Sequence, residues 1–340
     1  MTGRERVRAC LTFNSPDRVP RDLWALPYVS LFQKGDFSNL VESYPLDICT
    51  SQISPGWNEK VIRSTASVGY YTDDWGSVWY VGEPGVIGEV KKPILSDWSE
   101  LKKFNLPWHL IRNRDIDFIN KSCEKSEMFM LSDVTARPFE RIQFLRGTEN
   151  TFCDLAYGTK EFQSLLSMVH DFYLEDIRSW CNTSVDGIVF MDDWGSNNTL
   201  LVDPKTWREI FKPLYREYCT LIHEHKKFAF FHTDGHTEQI FKDFLEVGID
   251  AINSQLFTIN IEELARKYRG KITFWGEIDR QHILPFGKPE DVFNAVIRLR
   301  KVLDDGTGGV IAQCEWGKNN PIQNIKAVFE AWDMPRNFEH

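Results

Sequence analysis

Eight short apolar runs, each closing on polar residues and separated from the next by a stretch patterned as helix, constrain this chain more than any other feature. The clearest is KKFAFFHTDGH at Lys226 to His236, where Phe228 to Phe231 run unbroken into His232, Thr233, Asp234 and Gly235. A strand that is apolar at every position needs cover on both faces, as in a parallel sheet flanked by helices; a half-exposed strand would alternate. The other runs are Arg21 to Ala25, Leu46 to Ile53 (ending near Gln52), Met128 to Thr135, Gly187 to Trp194, and those at 250–256, 271–279 and 309–317. Helical patterns at Arg141 to Leu145, Glu161 to Trp180, Pro204 to Lys226, Thr237 to Val247, Ile261 to Tyr268 and Pro289 to Val302 fall between them, and an amphipathic helix over residues 3–13 opens the chain.

Strands alternating with helices at this spacing predict βαβ units, and eight such units close a TIM-type (β/α)8 barrel. A length of 340 residues would also accommodate two domains, but no fixed-period repeat or low-complexity linker divides the chain, so one barrel domain over 1–340 is expected. Residues Gly69 to Lys92, aromatic and β-branched with Asp-Trp-Gly and Gly-Glu-Pro-Gly turns, are expected as an inserted β-hairpin.

Composition narrows the function classes. A net charge of −9 argues against a phosphate backbone as partner, which needs clustered Lys and Arg. No apolar run approaches the roughly 20 residues of a membrane span, which argues against a membrane partner. Seven Cys at irregular spacings, with no CxxC, do not read as a disulfide framework, so a reducing, cytoplasmic setting is expected. There is no GxGxxG after a strand, no GxxxxGK[ST] and no GxSxG, so nucleotide-binding and Ser-hydrolase signatures are absent from the sequence. Oligomeric state is left open.

Parallel α/β folds build their sites at the carboxyl ends of the strands. There this chain would place Arg21 and Asp22, Gln52, Asp133, Asp192 and Asp193, His232 and Asp234, Asn253 and Gln255, Glu277 and Asp279, and Cys314 and Glu315. Acids and a thiol at these points are more costly to accommodate than the branched apolar residues a barrel core prefers. His232, Cys314 and one of Asp234 or Glu277 would meet the ligand count of a catalytic zinc site, which takes imidazole, thiolate and carboxylate donors and leaves one position open. Read more plainly, His232 hydrogen-bonds a loop, Asp234 caps a helix and Cys314 is an inert buried thiol. Asp192 and Asp193 read as metal ligands, as acid-base groups whose mutual repulsion raises one pKa, or as a helix cap.

Over nearly its full length the chain resembles the uroporphyrinogen decarboxylase superfamily, and within it the corrinoid-dependent methyltransferase branch. The residues that carry the resemblance are DRVPRDLW at 17–24, TDDWGSVW at 72–79, GVIGEVKKP at 85–93, MDDWGSNN at 191–198, FFHTDGH at 230–236, AINSQLF at 251–257 and WGEIDRQHILPFGKPEDV at 275–292. The resemblance implies a (β/α)8 barrel with its pocket at the C-terminal mouth. In the methyltransferase branch it implies zinc held by a His-x-Cys-Gly motif after strand five and a Cys after strand eight. His232 and Cys314 match; Asp234 stands where the family has its middle Cys, so an oxygen donor there, Glu277, or a metal-free site are the alternatives.

The implied function is transfer of a methyl group from a small methyl ether, amine or thiol to a corrinoid supplied by a partner protein, with zinc as Lewis acid and Asp192, Asp193 or Asp133 handling protons. Arg21, Trp24, Trp75, Trp194, Asn253 and Gln255 would contact substrate, with Trp275 as a further aromatic wall. The alternatives are a uroporphyrinogen-type decarboxylase, for which the N-terminal segment offers only Arg18 and Arg21 against many substrate carboxylates, and a barrel that has lost catalysis and serves as a binding subunit.

Overall fold

The computed structural model describes residues 1–50 and 64–336. Its strands in chain order are β1 (Trp24–Ala25), β2 (Ile48–Thr50), β3 (Gly69–Thr72), β4 (Val78–Val81), β5 (Glu89–Lys92), β6 (Phe129–Val134), β7 (Gly187–Met191), β8 (Phe228–Thr233), β9 (Ala251–Ser254), β10 (Thr273–Trp275), β11 (Val310–Ile311) and β12 (Glu315–Trp316). Seven of them form a parallel sheet in the order β11-β10-β9-β8-β7-β6-β2. The ring closes through the N-terminal segment: β1 pairs in parallel with β12, Arg21 bridges Ala312, and the Asp47 N–H donates to the Arg21 carbonyl at 2.9 Å. The result is a (β/α)8 barrel.

The expected eighth strand is therefore two short pieces, β11 and β12, that serve different neighbours: β11 pairs with β10 and β12 with β1. Helix Pro204 to Lys226 is broken at Phe211 into Pro204–Ile210 and Lys212–Glu224, as Pro213 requires by occupying the first turn of the second piece. The insertion is a three-stranded antiparallel sheet, β3-β4-β5, where the sequence suggested a two-stranded hairpin. The expected strand end at Gln52 lies outside the described residues.

Strands β7 to β10 are buried along nearly their whole length, as strands covered on both faces must be. Alternation then sorts side chains into two layers. Phe129, Leu131, Val189, Phe230, Ala251, Trp275 and Ile311 fill the barrel, together with Val7, Cys10 and Leu11 from helix Gly3–Leu11. Ile188, Phe190, Phe231, Ile252, Phe274, Ala312, Cys314 and Trp316 face the surrounding helices. Adding two residues to each inward position reaches the C-terminal mouth, and this parity decides which polar residues meet there.

Candidate active site

Register places His232 on β8 level with Met191 on β7 and Asn253 on β9. Both His232 and Asn253 follow inward-facing residues by two, so their side chains meet: His232 Nδ1 lies 2.6 Å from Asn253 Oδ1. The Asn253 amide is oriented by its other contacts, its Nδ2 donating to the Trp275 carbonyl at 2.6 Å and to Gln313 Oε1 at 3.1 Å. Its oxygen must therefore accept from His232, which puts the imidazole proton on Nδ1 and leaves Nε2 facing the mouth.

Two carboxylates await Nε2 there, Asp234 Oδ1 at 3.5 Å and Asp193 Oδ1 at 3.7 Å. They are brought together by loops that touch back to back. The Asp234 N–H donates to Asp193 Oδ1 at 3.0 Å, the Gly195 N–H to the Asp234 carbonyl at 3.0 Å, and the His236 N–H to the Ser196 carbonyl at 2.7 Å. Only glycine allows this approach: a Cβ on Gly235, whose φ is +78°, would sit 2.1 Å from the Gly195 oxygen, and one on Gly195 would sit 2.3 Å from the His236 nitrogen.

One donor atom from each of Asp193, His232 and Asp234 falls within 4.8 Å of the others. Asp234 Oδ1 is buried and receives no hydrogen bond from the described residues. A lone pair on Nε2 set against two carboxylates is repulsive unless a cation or a proton lies between them. The separations of 3.5 and 3.7 Å from His232 Nε2 approach the roughly 3.3 Å edge that zinc bonds of about 2.0 Å imply for a tetrahedron, and imidazole with two carboxylates is a donor set zinc accepts. The donor set fits a zinc ion.

Around this cluster the mouth is acidic. The Arg280 guanidinium pairs with Asp234, with Glu315 at 3.3 Å and with Glu277 at 3.4 Å. Burial opposes its charge, but Glu277, Asp234 and Glu315 outweigh burial and push its pKa up. Glu277 is buried with Oε2 lacking a hydrogen-bond partner among the described residues; burial drives its pKa well above the usual range against the pull of Arg280. Asp193 is pushed up to about 6, by burial first and then by Glu140 and Asp234, with His232 opposing. Deeper, Asp22 accepts from Trp275 Nε1 at 2.8 Å, and burial raises it to about 6. Trp24 closes one side, its ring 5.0 Å from both His232 and Trp275. A cleft of about 340 Å³ opens beside Glu277, lined also by Gln255, Asp279, Arg280 and Asn197.

Several expected site residues lie elsewhere. Asp192 faces the helix layer and caps helix Pro138–Arg146, accepting from the Phe139 and Glu140 N–H groups at 3.0 and 2.8 Å and from Tyr215 Oη at 2.5 Å. Burial and then Glu140 push its pKa up while those donors pull it down, and with both oxygens committed and no exposure it is not placed to hand a proton to substrate. Cys314 packs with Ala312 and Trp316 outside the barrel, because it is Gln313 and Glu315 that alternate inward. Among the described residues its sulfur is not gathered with His232, and burial, followed by Glu277, Asp22 and Glu315, raises its pKa. Glu277 is held by Arg280 and lies outside the three-residue cluster.

Trp194 is stacked on Phe139 with centroids 4.4 Å apart, its Nε1 donating to Tyr215. Arg21 points outward to Asp333 and lies over Tyr44. Asp133 and Trp75 line a separate cavity. Asn253 is at the mouth as an orienting group, and Gln255 lines the cleft with its Oε1 buried and unpartnered. Arg280 and Gln313 were not singled out in the sequence. Gln313 was legible by alternation from Ile311; Arg280 sits in a loop, where no periodicity marks it.

A (β/α)8 barrel whose C-terminal mouth gathers an oriented His among carboxylates belongs to a broad class of barrel proteins with a polar, cation-seeking pocket. The chain is a member of the uroporphyrinogen decarboxylase (URO-D) family, whose profile matches residues 84–334. No curated protein matches it in sequence. Among solved structures it is similar to a methyltransferase from Methanosarcina mazei, with a TM-score of 0.72 at 14% identity over 98% of each chain. It is more distantly similar to an endo-β-1,4-xylanase from Gloeophyllum trabeum, with a TM-score of 0.46 at 8% identity over 97% of this chain and 99% of that one. The first likeness shows the fold; the second carries no argument. No described helix is long and apolar enough to cross a membrane.

Proposed function

We propose that this protein is a methyltransferase that passes a methyl group from a small methylated donor to a corrinoid carried by a partner protein, with zinc held by Asp193, His232 and Asp234. The observation that carries the reading is the imidazole whose Nδ1 is committed to Asn253 while Nε2 faces two carboxylates, one with a buried oxygen that nothing in the described structure satisfies. Bound there, zinc supplies Lewis acidity that makes the oxygen, nitrogen or sulfur bearing the methyl group a better leaving group.

The chain's own residues supply the rest. Asn253 fixes the tautomer and orientation of His232, as outer partners of metal-bound imidazoles do. Glu277 takes the acid role expected of Asp192, Asp193 or Asp133: it is buried, lines the cleft, keeps Oε2 unpaired among the described residues and has its pKa raised by burial, so it can hold a proton for the departing heteroatom. Arg280 holds Asp234 and Glu277 in place. Trp24 and Trp275 keep one side of the mouth apolar.

Decarboxylation of a polycarboxylate is less well supported. Asp234, Glu277 and Glu315 already pair with the Arg280 guanidinium, and Asp193 adds a fourth carboxyl group beside His232. Such a mouth repels carboxylates and attracts a metal cation. The test is spectroscopic: the protein, a reduced corrinoid protein and panels of methyl ethers, methylamines and methyl thiols are mixed, and corrinoid methylation is followed by absorbance. Zinc-dependent methylation by one donor class supports the reading. Decarboxylation of a porphyrinogen with no methylation from any donor would contradict it.

A further inference from the structure

A second cavity, of about 630 Å³, lies between the antiparallel sheet β3-β4-β5 and helix Lys160–Cys181. That is the size of a small-molecule pocket. None of Asp193, His232 or Asp234 lines it. The wall is largely aromatic, built from Tyr71, Trp75, Trp79, Phe172, Tyr173 and Trp180.

Most charges on that wall are already matched. Arg114 pairs with Asp176 and stacks 4.4 Å over Trp180; Arg141 pairs with Asp73 at 3.3 Å and lies 4.5 Å over Trp75; His109 stands 3.7 Å from Asp74. Asp133 and Arg137 differ. The register slips at a β-bulge between Leu131 and Val134, and a bulge re-aims the residues it contains. Asp133 is thereby turned into the cavity, where its carboxyl receives no hydrogen bond or close ion pair from the described residues; the charges that bear on it are Arg114, already taken, and the like-charged Asp176. Burial pushes its pKa well up. Arg137, four residues on, touches the Met191 thioether and stands 3.8 Å from Glu140; burial opposes its charge while Glu140, Tyr173, Asp193 and Asp192 raise its pKa, but among the described residues no carboxylate forms a bidentate pair with its planar fork.

We propose that this cavity binds a small zwitterion of the amino-acid class, its ammonium on Asp133, its carboxylate on Arg137 and its apolar part against the aromatic wall. An ammonium supplies the cation Asp133 lacks, and a carboxylate matches the planar fork of Arg137. A ligand lacking either end leaves one desolvated charge unpaired, so selectivity for the two-ended molecule follows.

Calorimetric titration of the full-length protein tests this with L-phenylalanine and L-methionine as probes, beside phenethylamine, which lacks the carboxylate, and hydrocinnamate, which lacks the ammonium. At least one amino acid is expected to bind, with the one-ended analogues weaker by about 10-fold or more. Asp133→Asn is expected to erase the preference over hydrocinnamate, and Arg137→Gln the preference over phenethylamine. The proposal is overturned if neither amino acid binds at millimolar concentration, or if a one-ended analogue binds wild-type protein as tightly as its parent. The wild-type comparison needs no variant, so a variant that fails to fold leaves the test standing.

Discussion

Asp192 and Asp193 are consecutive in the chain and opposite in environment. Asp192 faces the helices, is completely buried and spends its oxygens on two backbone N–H groups and a tyrosine. Asp193 faces the barrel mouth, keeps 36% of its side chain exposed and stands beside His232 and Asp234. The pleat alone separates them. The same alternation separates Gln313 and Glu315, which reach the site, from Cys314, which does not. Chemically attractive residues on the outward face hold the barrel to its helices, and those on the inward face gather at the mouth.

The comparison breaks first at Glu277, the inward acid proposed to replace Asp192 as proton donor. Glu277→Gln keeps the shape but cannot donate the acid proton, so turnover should fall by about 100-fold or more while zinc content stays at the wild-type level. Steady-state methylation rates with metal analysis on the same sample check this, and a variant of normal rate would return the acid role to another group.

Asn253→Ala sharpens the comparison from one step behind the site. Without the amide, Nδ1 of His232 has no acceptor and the ring is free to turn, so zinc affinity should drop by about 10- to 100-fold, as for other outer partners of metal-bound imidazoles. Competition with a chelator measures the affinity. Unchanged affinity would mean that the imidazole is oriented by something other than Asn253.

Asp192→Asn should give the smallest functional effect and a structural one instead. An amide nitrogen in place of one oxygen opposes a donor at the helix N-terminus or at Tyr215, which should remove roughly 1 to 3 kcal/mol of stability, read as a lower melting temperature. Zinc should remain bound. The matching Asp193→Asn should do the reverse, losing metal with little change in melting, and equal behaviour of the two variants would erase the distinction drawn here.

The eight strands were legible in the sequence because continuous apolar runs such as Phe228 to Phe231 have few other uses, and the barrel followed from their alternation with helices. The site was legible by location, less so by membership. His232, Asp234 and Asp193 do converge, but Cys314, Asp192, Trp194 and Arg21 were chosen by chemistry without asking which face of the strand they occupy. Strand phase would have removed all four. Phase would not have been enough for Asp133, because the bulge between Leu131 and Val134 resets it, and an extra residue in a strand leaves no mark in an apolar run. Arg280 was hidden for a different reason: its role comes from three carboxylates contributed by separate strands, a meeting that exists only after closure.

The proposed methyl transfer rests on zinc held by Asp193, His232 and Asp234. Elemental analysis of gently purified wild-type, His232→Ala and Cys314→Ser protein tests it most directly. One zinc per chain is expected in the wild type, none in His232→Ala, and an unchanged ratio in Cys314→Ser. Wild-type protein that cannot be loaded with zinc, or a Cys314→Ser variant that loses the metal while His232→Ala keeps it, would contradict it.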